Sequence, residues 1–252
     1  DRIAATEQEH RFLVEFQKGL LDVDHRSVDA VVDVRYQPAR NSLVGGDWYD
    51  VNTLSDGSLG IAIGDVVGSG LPAATAMSQL RSAARLAAMS SSDPALVVTM
   101  LDAFAARTPA ALYASAIYAR LGADGTFQWS AAGHPPPVVV TAEGSRLLDG
   151  GRRPLLGVGG EQVPSAVTQL PPASTVLLYS DGLVERRGET IDCGLDRLGR
   201  AAFACRHLSV SCLSDALIEA LTPEGGLRDD VALIALRTVG QQRDLLVDAF
   251  RS

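Results

Sequence analysis

The residues with chemistry in them are aspartates, and they recur in one setting: VGGDWYD around Asp47, IGDVVGSG around Asp65, YSDG around Asp181 and RDDVAL around Asp229 and Asp230. Each places a carboxylate at the edge of an apolar run, where a strand gives way to a turn. A fold that gathers these strand ends builds one oxygen-rich pocket, the ligand type that Mg2+ and Mn2+ prefer. The two oxygens of Asp65 suit it to bridge a pair of ions, and the adjacent Val66 carbonyl offers another hard ligand. Two cations held this way would acidify a shared water for in-line attack on phosphorus and offset charge on the phosphoryl oxygens. A single Asp after a strand is ordinarily a turn cap. The recurrence at Asp65, Asp181 and Asp229 points to a metal site, with Asp47 joining it. Clustered carboxylates repel one another, so Asp65 and Asp181 read as ligands ahead of a general acid–base pair.

The neighbours of these acids are read more plainly. Trp48 and Tyr49 are expected to pack the following strand, and Asp50 is left outside the site as a surface or strand-edge residue. Gly45 and Gly46 either admit tight backbone near a metal or make an ordinary turn. Ser180 lies beside Asp181 but in no GxSxG elbow, which argues against a serine nucleophile. GDVVGSG lacks the GK[ST] of a P-loop. His134, in AAGHPPPVVV, is the best-placed histidine; a packing or turn role outweighs proton donation to a leaving group. His10, His25, His134 and His207 have no zinc-site spacing. Cys193, Cys205 and Cys212 form no CxxC pair and read as reduced packing or surface thiols.

Elements able to position the acids follow from periodicity. Strands are expected over 28–36, 48–54, 58–66, 111–120, 126–131, 137–141, 174–180 and 231–237, with hairpin turns at Ser55-Asp56-Gly57 and Ala123-Asp124-Gly125. LPAATAMSQLRSAARLAA, with Pro72 in its first turn, predicts a helix, and a second starts at Ser92-Asp93-Pro94 and runs to about Ala106. A helical region covers 194–221, and 144–160 reads as loop. Apolar positions Phe12, Leu13, Phe16, Leu20 and Leu21 mark one face of a helix over 6–21, with Thr6 and Glu9 placed for a capping box. That helix would serve homodimerisation, signal transmission or packing within the domain. Hairpins interleaved with two helical blocks favour a layered α+β fold over a doubly wound one.

At 252 residues and 46% hydrophobic content, the chain can bury one substantial core. A net charge of -8, with Lys18 the sole lysine among 22 basic residues and no basic cluster, argues against a nucleic-acid partner. No apolar run reaches the ~18 residues of a membrane span and no secretory signal is visible, so a cytoplasmic location is expected.

In order, VGGDWYDV, IGDVVGSGLPAATAMSQLR, AAGHPPPVV, LLYSDGLVERR and RDDVALIALR closely resemble the SpoIIE/RsbU branch of the metal-dependent PP2C-like (PPM) phosphatases, over about residues 28 to 237. The resemblance implies a four-layer αββα sandwich, two central antiparallel sheets flanked by helices, and two Mn2+ or Mg2+ ions per active site. It implies that Asp65 bridges the ions, that Asp47 and the Val66 carbonyl serve one, and that Asp181 and Asp229 serve the other. Asp230 is the neighbouring family acid with a weaker claim to a ligand role. The implied activity is serine/threonine protein phosphatase, acting on a phosphorylated STAS-domain anti-sigma factor antagonist. The implied division is a linker helix over 1–27, joined to any upstream sensor domain, a phosphatase domain over 28–240 and a tail over 241–252. Two departures stand out: Ser69 where many relatives have His, and Asp22 where Pro is usual after the N-terminal Leu pair. The alternatives are a regulatory or binding module of the same fold, and a phosphomonoesterase acting on small molecules.

Overall fold

The computed structural model describes residues 30–39 and 45–239. The helix expected over 6–21, Asp22 and the tail over 241–252 lie outside the described residues.

Alternation decides the architecture. In Thr175–Tyr179 and Val231–Thr238, Val176, Leu178, Ala232, Ile234 and Leu236 join one apolar cluster, whereas Leu177, Tyr179, Val231, Leu233 and Ala235 join a second. Both faces of these strands are therefore buried, each against a different partner, as a period of two requires. Ala30–Gln37 (β1), Val138–Val140 (β6), Ser145–Leu147 (β7), Thr175–Tyr179 (β10) and Val231–Thr238 (β11) form one sheet in the order β1-β11-β10-β6-β7. The second sheet runs Trp48–Thr53 (β2), Leu59–Asp65 (β3), Ser115–Leu121 (β4), Thr126–Ala132 (β5) and Arg152–Arg153 (β8), and Ala166–Gln169 (β9) also pairs with β5.

Helices cover the outer faces. Leu71–Ser90 (α1) and Pro94–Ala105 (α2) pack on the second sheet through Ala76, Met77, Leu80, Val97, Val98 and Leu101. Ile191–Ala204 (α3) and Val210–Leu221 (α4) pack on the first through Leu195, Leu198, Leu213 and Leu217. The result is the four-layer αββα sandwich, with the sheets face to face inside it. The start of α2 follows its sequence signal: Asp93 accepts a hydrogen bond from the Ala95 N–H and Pro94 occupies the first turn.

Three expectations shift. Strand β4 begins at Ser115 rather than 111, because Pro109–Ala111 form a 3-10 turn and Tyr113 takes φ 66, which no strand tolerates. The stretch 144–160 contains β7 and β8, and β8 runs parallel to β5, an exception to otherwise antiparallel pairing. β9 is an edge strand with only weak apolar alternation.

Topology creates two poles. The β2–β3 and β4–β5 hairpins turn at one end, while Asp47, Asp65, Ser115 and His134 gather at the other, where Asp65 pairs with Ser115 across β3 and β4. In the other sheet β10 ends at Tyr179, just before Asp181, and β11 starts after Asp230; both lie at that same pole, since Ser180 donates its N–H to the Ala232 carbonyl and its hydroxyl to Asp47.

Candidate active site

Five aspartates, distant in sequence, meet at this pole. Asp47 immediately precedes β2 and is 2% exposed; Asp65 closes β3; Asp181 opens a 3-10 turn over Asp181–Leu183; Asp229 and Asp230 precede β11. Their mutual approach is felt as repulsion. Burial, then Asp181, Asp229 and Asp230, push the Asp65 carboxyl up to about 7. Burial, then Glu185 and Asp229, push Asp181 up to about 6, and its own turn amides oppose the rise. Asp47 is raised well above the usual carboxylate range, first by burial and then by Asp65, with the Ser180 hydroxyl pulling the other way. Carboxylates in this state bind a cation in place of a proton.

The backbone is shaped to the same purpose. Val66 N–H donates to the Gly46 carbonyl at 3.2 Å. A Cβ on Gly46 would collide with the Val66 carbonyl oxygen and press on the Asp65 carboxylate, so glycine at 46 is what lets the two segments approach this closely. This decides between the two sequence readings of the Gly45-Gly46 pair in favour of a close approach.

Not every acid is free to hold a ligand. Asp230 accepts from the Ala39 N–H at 2.7 Å and from the Gly46 backbone, and it lies against Gly45, so it ties down the loop that carries Asp47. Asp229 is engaged through one oxygen only, its Oδ1 accepting from the Asp230 N–H at 2.8 Å. Among the described residues, no three His, Cys, Asp or Glu side chains stand in a ready-made metal-holding group. The donors that converge are nonetheless all hard oxygens, the set that Mg2+ and Mn2+ take.

Two residues have roles that the motifs did not reveal. Ser180 is fully buried; its hydroxyl donates to Asp47 Oδ2 at 2.5 Å and accepts from the Ala232 N–H at 2.9 Å. It is a bolt between the sheets, with no freedom to act as a nucleophile. The signal for it was alternation: Val176, Leu178 and Ser180 share the face turned to the other sheet. Asp50, expected at a surface or strand edge, is 2% exposed and held by Arg81 and Arg85 of α1, at 3.1 and 2.6 Å. That pairing of β2 with α1 needed arginines three decades further along the chain, which strand periodicity cannot supply.

His134 is buried, and its Nδ1 lies 2.8 Å from Ser115 Oγ. Burial lowers its pKa to about 3, the nearby Tyr179 backbone opposing that shift, and Nε2 forms no hydrogen bond of standard geometry. A neutral imidazole fixed this way packs the β5 end; it is not charged to donate a proton near pH 7. Trp48 is fully buried against Gly64, as its packing role requires. Ser69 is exposed in the loop after Asp65. Cys193 and Cys212 are exposed and Cys205 half-buried, all unpaired thiols. No helix among the described residues is long and apolar enough to cross a membrane.

A four-layer sandwich with aspartates collected at one end of its paired sheets is the PP2C-like architecture. Residues 55–239 match the family of the stage II sporulation protein E, SpoIIE, and the chain belongs to that family. It is 27% identical over 204 residues to the phosphoserine phosphatase RsbU of Bacillus subtilis (strain 168), covering 77% of this chain and 59% of that protein. Among solved structures it resembles the RsbU and RsbW domains of Rv1364c from Mycobacterium tuberculosis, at 31% identity and TM-score 0.78 over 85% of this chain and 62% of that one. The fold also matches the SiaA PP2C domain of Pseudomonas aeruginosa, at 20% identity and TM-score 0.70 over 82% of this chain and 84% of that one. The chain spans about three fifths of the length of the first two relatives.

Proposed function

We propose that the chain is a Mn2+- or Mg2+-dependent protein serine/threonine phosphatase whose substrate is a phosphorylated STAS-domain anti-sigma factor antagonist. The observation that carries the reading is the convergence of the buried Asp47 with the half-buried Asp65 and Asp181, their carboxyl pKa values raised with no arginine or lysine among the causes. In this reading Asp65 would serve both ions, Asp47 and the Val66 carbonyl would help to hold one, and Asp181 and Asp229 the other. When bound, such ions acidify water and neutralise charge on a transferring phosphoryl group.

The protein's own contribution is to hold this set before any ligand arrives. Ser180 fixes the Asp47 carboxylate by its hydroxyl. Asp230 holds the Gly45-Gly46 loop, which lies close against the Val66 carbonyl and Asp65. The turn amides at Asp181 orient its carboxylate. Phosphoserine as the group cleaved is supported by the likeness to RsbU, named a phosphoserine phosphatase.

The test is phosphate release from a phosphorylated STAS protein with and without Mn2+, using wild type, Asp65→Ala and Asp181→Ala. Release that needs Mn2+ and falls by about three orders of magnitude in both variants is expected, since the lost charge stabilisation amounts to several kcal/mol. Equal release without metal, or none from folded and metal-loaded wild type, would count against the reading; the latter outcome would favour a regulatory module.

A further inference from the structure

Asp65 and Asp181 open into a cavity of about 460 Å³. Its charged lining is lopsided: Asp149, Glu185 and Asp192 add to those two acids, and Arg152 is the single cation among the described lining residues. A phosphomonoester carries about -1.5 to -2 charge near neutral pH; cations held at Asp65 and Asp181 would attract it, while Asp149, Glu185 and Asp192 would still repel it. A cation on this wall would offset those three acids.

Arg152 is placed to do so. It and Arg153 form β8, and consecutive strand residues point to opposite sides. Arg153 turns towards α2, donating to Thr99 Oγ1 at 3.0 Å. Arg152 lines the cavity, exposed, with no hydrogen bond or ion pair to any described residue. Its backbone is nevertheless fixed, because the flanking residues bond β5: Ala131 N–H donates to the Gly151 carbonyl at 2.7 Å and Gly133 N–H to the Arg153 carbonyl at 2.9 Å. A guanidinium on a rigid strand, beside carboxylates yet paired with none, is available to an incoming anion.

The exposed rim of the same cavity carries apolar side chains beside its charged ones. Val67, Tyr113 and Ile191 line it while 68%, 55% and 41% exposed. Tyr113 is held outward at a cost: its φ of 66 lies in the left-handed region, uncommon for a bulky residue. The conformation is enforced by a two-way clasp, Tyr113 N–H to the Leu156 carbonyl and Leu156 N–H to the Ala114 carbonyl, each 2.9 Å. A strained, exposed aromatic at a cavity mouth fits contact with a chain segment, which a small phosphoester would not reach.

We propose that this cavity receives the phosphorylated segment of a protein, with Arg152 binding the phosphoryl oxygens and Val67, Tyr113 and Ile191 packing on the residues beside the phosphorylated side chain. The inference rests on the phosphatase reading and adds substrate-binding residues to it; Arg152 lies outside the acidic set.

The test compares wild type, Arg152→Ala, Arg152→Lys and Tyr113→Asn, the last chosen because Asn tolerates the left-handed backbone. KM and kcat are measured with Mn2+ on a phosphorylated STAS protein and on p-nitrophenyl phosphate, and binding of inorganic phosphate is measured by calorimetry on the same proteins. Arg152→Ala should raise KM for both substrates and weaken phosphate binding by at least about tenfold, with partial rescue by Lys. Tyr113→Asn should raise KM for the phosphoprotein alone. Unchanged KM and phosphate affinity in Arg152→Ala would overturn the anchor, and equal effects of Tyr113→Asn on both substrates, or none on either, would overturn the apolar contacts at the rim. If wild type hydrolyses neither substrate, the phosphatase reading fails, yet calorimetry still decides Arg152: phosphate binding lost in Arg152→Ala upholds the anchor, whereas binding equal in both proteins or absent from wild type refutes it.

Discussion

Asp47, just before β2, and Asp50, within it, stand three residues apart, both 2% exposed, and the protein treats them in opposite ways. Asp50 receives two arginines from α1. Asp47 receives one serine hydroxyl and the repulsion of Asp65, Asp230 and Asp181. A buried charge is ordinarily paired, because an unpaired one is costly to desolvate. Asp50 obeys that rule and joins a strand to a helix. Asp47 breaks it, in company with Asp65 and Asp181, and these are the carboxylates that the proposed metal site would use.

The sharpest way to break the contrast is to remove Asp50. Asp50→Ala should lower stability by about 2–3 kcal/mol in denaturant unfolding, below the ~3–5 of a fully buried pair, because Arg85 remains 43% exposed and can return to water. Asp65→Asn should do the reverse in metal-free protein at pH 8. Asp65 and Asp181 have folded pKa values near 7 and 6, raised above 3.8, so between these values the folded chain holds protons more tightly than the unfolded chain. Stability from these groups is full below pH 3.8 and lost as pH rises through 6 to 7. Wild type should therefore lose stability relative to Asp65→Asn over pH 5 to 8 in thermal melts, and added Mn2+ should close the gap. No difference in pH dependence between the two proteins would refute the repulsion.

A smaller effect separates the serine from the acids. Ser180→Ala leaves Asp47 Oδ2 and the Ala232 N–H without their shared partner, and should cost about 1–2 kcal/mol. Because the same change frees Asp47, Mn2+ affinity measured by calorimetry should fall with it; a stability loss with unchanged affinity would make Ser180 a packing residue only. The smallest effect is expected of Ser69→His, an exposed change that should stay within about 0.5 kcal/mol.

Much of this was legible in the chain. Strand ends marked by Asp beside apolar runs located the carboxylates, since a period of two and a following turn are local signals. The dipeptide alone would have misled: Asp124-Gly125 at a hairpin tip is an exposed turn whose carboxylate accepts from Thr126, whereas Asp181-Gly182 belongs to the acidic cluster. Burial and neighbours separate the two, and neither is written in the pair itself. The partners of Asp50 and of Asp47 come from 31 and 133 positions away, so only the packed fold reveals them. The onset of β4 was misjudged because ALYAS is apolar enough for a strand, while a proline turn and the clasp on Tyr113 hold it out of the sheet.

The two-poled arrangement has a practical consequence for anyone who wishes to rebuild this protein. The tips at Ser55–Gly57 and Ala123–Gly125 lie at the far end of the strands from every aspartate of the cluster. New chain termini, tags or whole inserted domains can be accommodated there at little cost to the site. The sheets themselves permit no such liberty, because Asp47 and Ser180 meet only when the two halves are seated together.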